Sequence, residues 1–124
     1  MGLKIKAVAL VVVCFSGCAS LSEIRSNEPY YTLTSIKPPE ELAKCIEQRI
    51  RAETGGRWYE ANLVVNREDY PNHTYRIGLT LPGYTAMADI LVKPSDKGSL
   101  VEYRRKGWFT GESSALEEIK RCAE

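Results

Sequence analysis

The spacing of apolar and polar residues changes several times along the chain. Ala7 to Phe15 form an unbroken apolar run, too short to span a bilayer as a helix. Further on, Leu42, Cys45, Ile46 and Ile50 recur at helical spacing. Pro38-Pro39-Glu40-Glu41 opens that helix. Proline suits the first turn, where its missing N–H costs nothing, and the two carboxylates favour the positive end of the helix dipole. Gly55-Gly56 ends it. Four runs with a period of two follow. Tyr59, Ala61, Leu63 and Val65 alternate with Glu60, Asn62 and Val64, and Tyr75, Ile77, Leu79 and Leu81 with Thr74, Arg76, Gly78 and Thr80. Ala86, Ala88, Ile90 and Val92 alternate with Met87, Asp89, Leu91 and Lys93, and Val101 and Tyr103 with Leu100, Glu102 and Arg104. Each run buries one face and leaves the other partly wet. Arg67 to Asn72, Pro82-Gly83 and Ser95 to Gly98 are links of hairpin length. Ser114-Ala115-Leu116-Glu117 reads as a capping box opening a last helix, with Ala115, Leu116, Ile119 and Cys122 on one face. The expected fold is α+β: two layers in the order α-β-β-β-β-α, with a four-stranded antiparallel meander.

The apolar run at the start has a particular setting. Lys4 and Lys6 precede it, and Phe15-Ser16-Gly17-Cys18 follows. This resembles the export signal of bacterial lipoproteins, with small residues before a cysteine whose thiol accepts a diacylglyceryl group; Phe15 stands where leucine is usual. Gly17-Cys18-Ala19 also fits the small-x-small rule of an ordinary secretory signal. Met1-Gly2 does not make a myristoylation signal, because Lys6 stands where Ser or Thr is required. The lipoprotein resemblance implies cleavage before Cys18, a lipid on its sulfur and an oxidising compartment. By the enteric-type sorting rule, Ala19 implies the outer membrane, facing the periplasm. The expected organisation is a signal peptide over 1–17, a lipidated cysteine and tether over 18–37, and one periplasmic domain over 38–124. The polar stretch Ala19 to Pro29 reads as a flexible tether reaching about 36–40 Å when extended. Two readings are open for residues 30–34: an extra edge strand, or the last part of the tether.

Removal of residues 1–17 from the 124 leaves 107, enough for one domain. Lys4 and Lys6 leave with them, taking the formal net charge from +1 to −1. A near-neutral chain does not supply the phosphate neutralisation that general nucleic-acid binding needs. The lipoprotein reading also sorts the cysteines. Export removes Cys14 and lipidation occupies Cys18, which leaves Cys45 and Cys122 to pair in an oxidising compartment. Both lie on the apolar stripes of their helices, so a bond between them sets the two helices side by side on one face of the sheet.

A wider resemblance spans most of the chain after Cys18. The segment Ser35 to Ile46, with its Pro-Pro-Glu-Glu-Leu-Ala-Lys-Cys-Ile, is followed by β-runs and a cysteine-bearing final helix. This is similar to a group of small proteobacterial lipoproteins. The resemblance implies location and fold, and it carries no catalytic residues.

Candidate chemistry is sparse. His73, the only histidine, sits in a turn beside Pro71-Asn72. There is no ligand set for a metal, no Gly-x-Ser-x-Gly and no phosphate loop, so neither a cofactor nor an enzyme is expected. Two surfaces stand out instead. Trp58, Val64, Met87, Leu91 and Leu100 fall in the phase opposite to the expected core, among charged residues, as a binding face would. Arg104-Arg105-Lys106-Gly107-Trp108-Phe109 clusters basic charge with two aromatics, a combination suited to anionic head groups, glycan or a protein interface. The leading expectation is a non-catalytic adaptor for another envelope protein, with Trp58, Met87, Leu91, Arg104, Arg105 and Trp108 as candidate binding residues. The alternatives are a binder of peptidoglycan, lipid or lipopolysaccharide, and an inhibitor of a secreted hydrolase such as lysozyme.

Overall fold

A computed structural model describes residues 21–54, 64–80, 86–105 and 112–124. In chain order the elements are α1 (Leu21–Arg25), β1 (Tyr31–Ser35), α2 (Pro39–Thr54), β2 (Val64–Tyr70), β3 (Thr74–Thr80), β4 (Ala86–Ser95), β5 (Gly98–Arg105) and α3 (Glu112–Ala123). The strands form one antiparallel sheet in the order β1-β5-β4-β3-β2. The fold is α+β as expected, with five strands in place of four. The added strand is β1, whose pairing with β5 runs from Tyr31↔Tyr103 to Ser35↔Ser99. Its Tyr and Thr side chains favour an extended backbone, and it covers the side of β5 that a four-stranded meander would leave open.

Two boundaries differ from the expected ones. The first meander strand runs to Tyr70, so the link to β3 shortens to residues 71–73, between the partners Tyr70 and Thr74. Asn72 and His73 have φ of 63° and 54°. This left-handed backbone is tolerated best by residues such as Asn and His, and it turns the chain tightly. The charged Arg67-Glu68-Asp69 therefore belongs to an edge strand, and its charges are matched: Arg67 donates to Glu47 of α2 at 3.0 Å and to Asp69 at 3.0 Å. At the other end, α3 begins at Glu112. Position 114 therefore lies within the helix rather than before its start. Tyr59 to Leu63, the Pro82-Gly83 link, Trp58 and the 106–109 segment lie outside the described residues.

Helices α2 and α3 share one face of the sheet. Leu42, Ile46 and Ile50 from α2 and Ala115 and Ile119 from α3 are fully buried against Ile77, Leu79, Ile90, Val92, Val101 and Tyr103. The two helices are joined by the Cys45–Cys122 disulfide, with Cα atoms 5.8 Å apart. Beside it, Arg49 Nε donates to the buried Glu118 at 2.6 Å. The last carbonyls of α3, which have no partner within the helix, are capped from the β1–α2 link. Ser35 Oγ donates to the Ala123 carbonyl at 2.8 Å and Lys37 Nζ to the Cys122 carbonyl at 2.6 Å. The same link is pressed against the β4–β5 turn. A Cβ on Gly98, whose φ is +155°, would stand 2.2 Å from the Ser35 carbonyl oxygen, so only glycine lets β1 seat there.

The disulfide closes a separation of 77 residues, and chain-entropy arguments give such a crosslink about 4.5 kcal/mol. The Cys45→Ser/Cys122→Ser chain should therefore lose up to that amount in urea unfolding. A loss near zero would show that the helices hold without the bond.

Candidate functional site on the outer sheet face

The face of the sheet opposite α2 and α3 carries the outward residues of each strand. It is covered, not open. Helix α1 lies across it, with Leu21, Ile24 and Arg25 spaced so that all three turn toward the sheet. Ile24 is buried. Leu21 sits over Gly78, where an added Cβ would come within 2.9 Å of its Cδ1. The segment read as a flexible tether is thus, from Leu21 onward, a packed part of the domain. A helix of five residues does not hold itself together in water, so its packing must do so.

The centre of that packing is Asp89. It lies mid-strand in β4 and is fully buried, a position a carboxylate occupies only when paired and hydrogen-bonded. Two guanidiniums serve it: Arg25 Nε donates to Oδ1 at 3.0 Å, and Arg76 Nη1 from β3 donates to Oδ2 at 2.7 Å. Arg25 also donates through Nη2 to Glu68 of β2 at 2.7 Å. Burial alone would lower the pKa of Arg25, but its bonds to Glu68 and Asp89 outweigh that and raise it above its ordinary value. In return the Arg25 hydrogen bond holds the Glu68 carboxyl below its ordinary value of 4.5. One arginine from α1 thus joins strands β2 and β4.

The path continues toward β5. Arg104 Nε donates to the Asn27 carbonyl at 2.7 Å, and its Nη1 donates to Glu102 at 3.0 Å. Lys93 Nζ lies 3.3 Å from the same carboxylate. Burial pushes the Glu102 pKa up, and the bonds from Arg104 and Lys93 more than reverse this, leaving it lowered. The Arg105 guanidinium lies 3.8 Å above the Tyr30 ring, and Tyr30 meets Tyr103 edge-on at 6.2 Å. The Tyr30 backbone N–H donates to the Tyr103 carbonyl at 2.8 Å and leads the chain into β1.

Of the sequence-level candidates, Arg104 and Arg105 therefore come together on the N-terminal segment. Leu91 is buried on this same outer face, only 8% exposed. Met87 is not on the outer face in the expected sense. The register slips between Leu79 and Thr80, so that Leu79 pairs with Ala88 and Thr80 with Ala86. Met87 is the extra residue of this bulge and joins the main core. Trp58 and Trp108 lie outside the described residues. His73 is exposed in its turn, and no group of three or more metal-ligating side chains occurs among the described residues. A cleft of about 390 Å³ beside the β4–β5 turn is lined by Thr34, Ser35, Ile36, Ser95, Asp96 and Lys97. Among the described residues it offers hydroxyls, but neither a histidine nor a cysteine beside them. Arg25, Arg76 and Asp89 were not singled out from the sequence. The signal was there: one carboxylate inside Ala86 to Val92, an otherwise apolar run.

No family model, curated protein or solved structure matches this chain.

Two outcomes test the clasp. Asp89→Ala should cost about 3 kcal/mol in urea unfolding, because it removes the buried carboxylate that Arg25 and Arg76 share and leaves Arg25 with Glu68 alone, and trypsin should then cut first after Arg25. Lys93→Ala, which removes a partly exposed partner, should cost under about 1 kcal/mol. Equal losses would place the stabilisation elsewhere. On pH, Glu68 and Glu102 titrate lower when folded than the ordinary 4.5. Their contribution is complete above that value and is lost as pH falls through the folded values. Arg25→Ala should flatten the Glu68 part of this acid slope, measured by unfolding at a series of pH values below 5.

Proposed function

We propose that this chain is a lipid-anchored, non-catalytic adaptor of the bacterial envelope. It is held in the outer membrane through Cys18 and faces the periplasm. The observation that carries the anchor is Phe15-Ser16-Gly17-Cys18, directly after an apolar run with Lys4 and Lys6 in front of it. The Cys45–Cys122 disulfide supports it twice over. Such bonds persist in oxidising compartments, and this one pairs Cys45 with Cys122, so neither is a partner for Cys18.

The adaptor reading draws its support from β1. Met87 and Leu91 are interior and give a partner nothing to touch. The β1 edge has what they lack. Tyr30 and Tyr31 are exposed, Ile36 is 83% exposed, and no charged residue occurs from Tyr30 to Ile36. The opposite edge, β2, carries Arg67, Glu68 and Asp69. Uncharged edge strands accept an added strand, and charged ones resist it. Binding of glycan or lipid through Arg104 and Arg105 has less support, because both guanidiniums engage residues 27 and 30.

The anchor is tested by the intact mass of the chain extracted from membranes, which should exceed that of residues 18–124 by acyl groups located on Cys18. An unmodified Cys18 overturns it. The adaptor is tested in living cells with a photo-crosslinking amino acid replacing Ile36. One dominant envelope protein should be captured, and none from the same probe at Gln48 of α2. Equal capture at both positions overturns the edge as the contact.

A further inference from the structure

We infer that the domain is seated against the membrane surface with its outer sheet face toward the lipid head groups, and does not hang from a long tether. The inference rests on the anchor reading above. It adds which surface the membrane meets.

The argument starts from the clasp. The chain is fastened from Leu21 onward by the burial of Ile24, by the contact of Leu21 with Gly78, and by the bonds of Arg25 to Asp89 and Glu68. Only Ala19 and Ser20 separate Leu21 from Cys18. Three Cα steps reach at most about 11 Å. The sulfur that carries the lipid is therefore confined to the neighbourhood of the point where α1 begins.

That point is on β3, beside the β2 edge. Gly78, under Leu21, pairs with Asn66, and Thr80 pairs with Val64. Asn66 is exposed and Val64 is 46% exposed. The patch holds an apolar and an amide side chain; the next outward residue of β2, Glu68, is paired with Arg25, and α1 carries the exposed Glu23. From there α1 leads away across β4 to β5, and β1 with its exposed Tyr31 lies at the far edge of the sheet. On the opposite face, α2 stands a helix diameter of about 10 Å further from the lipid, with Lys44 and Gln48 exposed. Seated this way, the helical layer and the β1 edge remain open to the compartment.

The test uses the full chain purified from membranes and placed in vesicles of phosphatidylethanolamine and phosphatidylglycerol carrying a head-group nitroxide. A fluorescent amino acid replaces Asn66 in one sample and Gln48 in another, and the intact mass of each reports the lipid on Cys18. Quenching several-fold stronger at position 66 than at 48 is the expected result. A flexible Gly-Ser insert of about ten residues between Ser20 and Leu21, adding a mean span of about 16–19 Å, should remove most of that difference while leaving the circular dichroism unchanged. Acylated chains with equal quenching at the two positions overturn the orientation and leave the anchor standing. A difference that survives the insert overturns the short connection as its cause. Chains without acyl groups overturn both readings together.

Discussion

A carboxylate with no exposed surface sits in the middle of this sheet, and the outer half of the structure is arranged around it. Asp89 could not be buried as an anion without partners, since removing an ionised group from water costs several kcal/mol. Arg76 supplies one guanidinium from the neighbouring strand. The second comes from Arg25, on a helix too short to persist alone. The dependence is mutual: α1 is folded because Asp89 and the apolar surface hold it, and Asp89 is tolerable in β4 because α1 covers and pairs it. Glu68 and Arg104 extend the same arrangement to β2 and to Asn27.

The sheet is consequently held from both sides by different physics. On the inner face the forces are apolar burial and a covalent bond: Leu42, Ile46, Ile50 and Ile119 close over the strands, and Cys45–Cys122 limits the chain entropy of the unfolded state. On the outer face they are charge-assisted hydrogen bonds in partly dry surroundings, with Ile24 and Leu21 as the apolar component. The inner face answers to reductants. The outer one answers to acid, through Glu68 and Glu102. Strand β1 belongs to both systems, since Tyr30 extends it from the outer segment and Ser35 fastens it to the end of α3.

Helix α2 and strands β3, β4 and β5 were legible in the sequence because period and burial agree in them. The disulfide was legible because the reading of Cys14 and Cys18 left only one pair. Strand β2 was read several residues early. Arg67-Glu68-Asp69 looks like a loop until Glu47 and Arg25 are known to stand opposite, and those partners come from 20 and 43 residues away. Met87 was assigned to the wrong face because a strict period of two cannot anticipate a bulge. Leu21 to Arg25 gave no helical signal at all: five residues contain little more than one turn, and their reason for folding is tertiary. The clasp could have been suspected only from the oddity of Asp89 among apolar neighbours.

The order of these attachments along the chain also sets how the domain carries a mechanical load. A pull on the N-terminal end reaches α1 and its Arg25–Asp89 contact first, then the Tyr30 contacts, then the β1–β5 ladder. The Cys45–Cys122 crosslink lies beyond all of them in sequence. Tension can therefore peel the outer segment away while the two helices and strands β2 to β5 stay closed. The covalent bond acts as a backstop, and the ionic contact as the link that yields first.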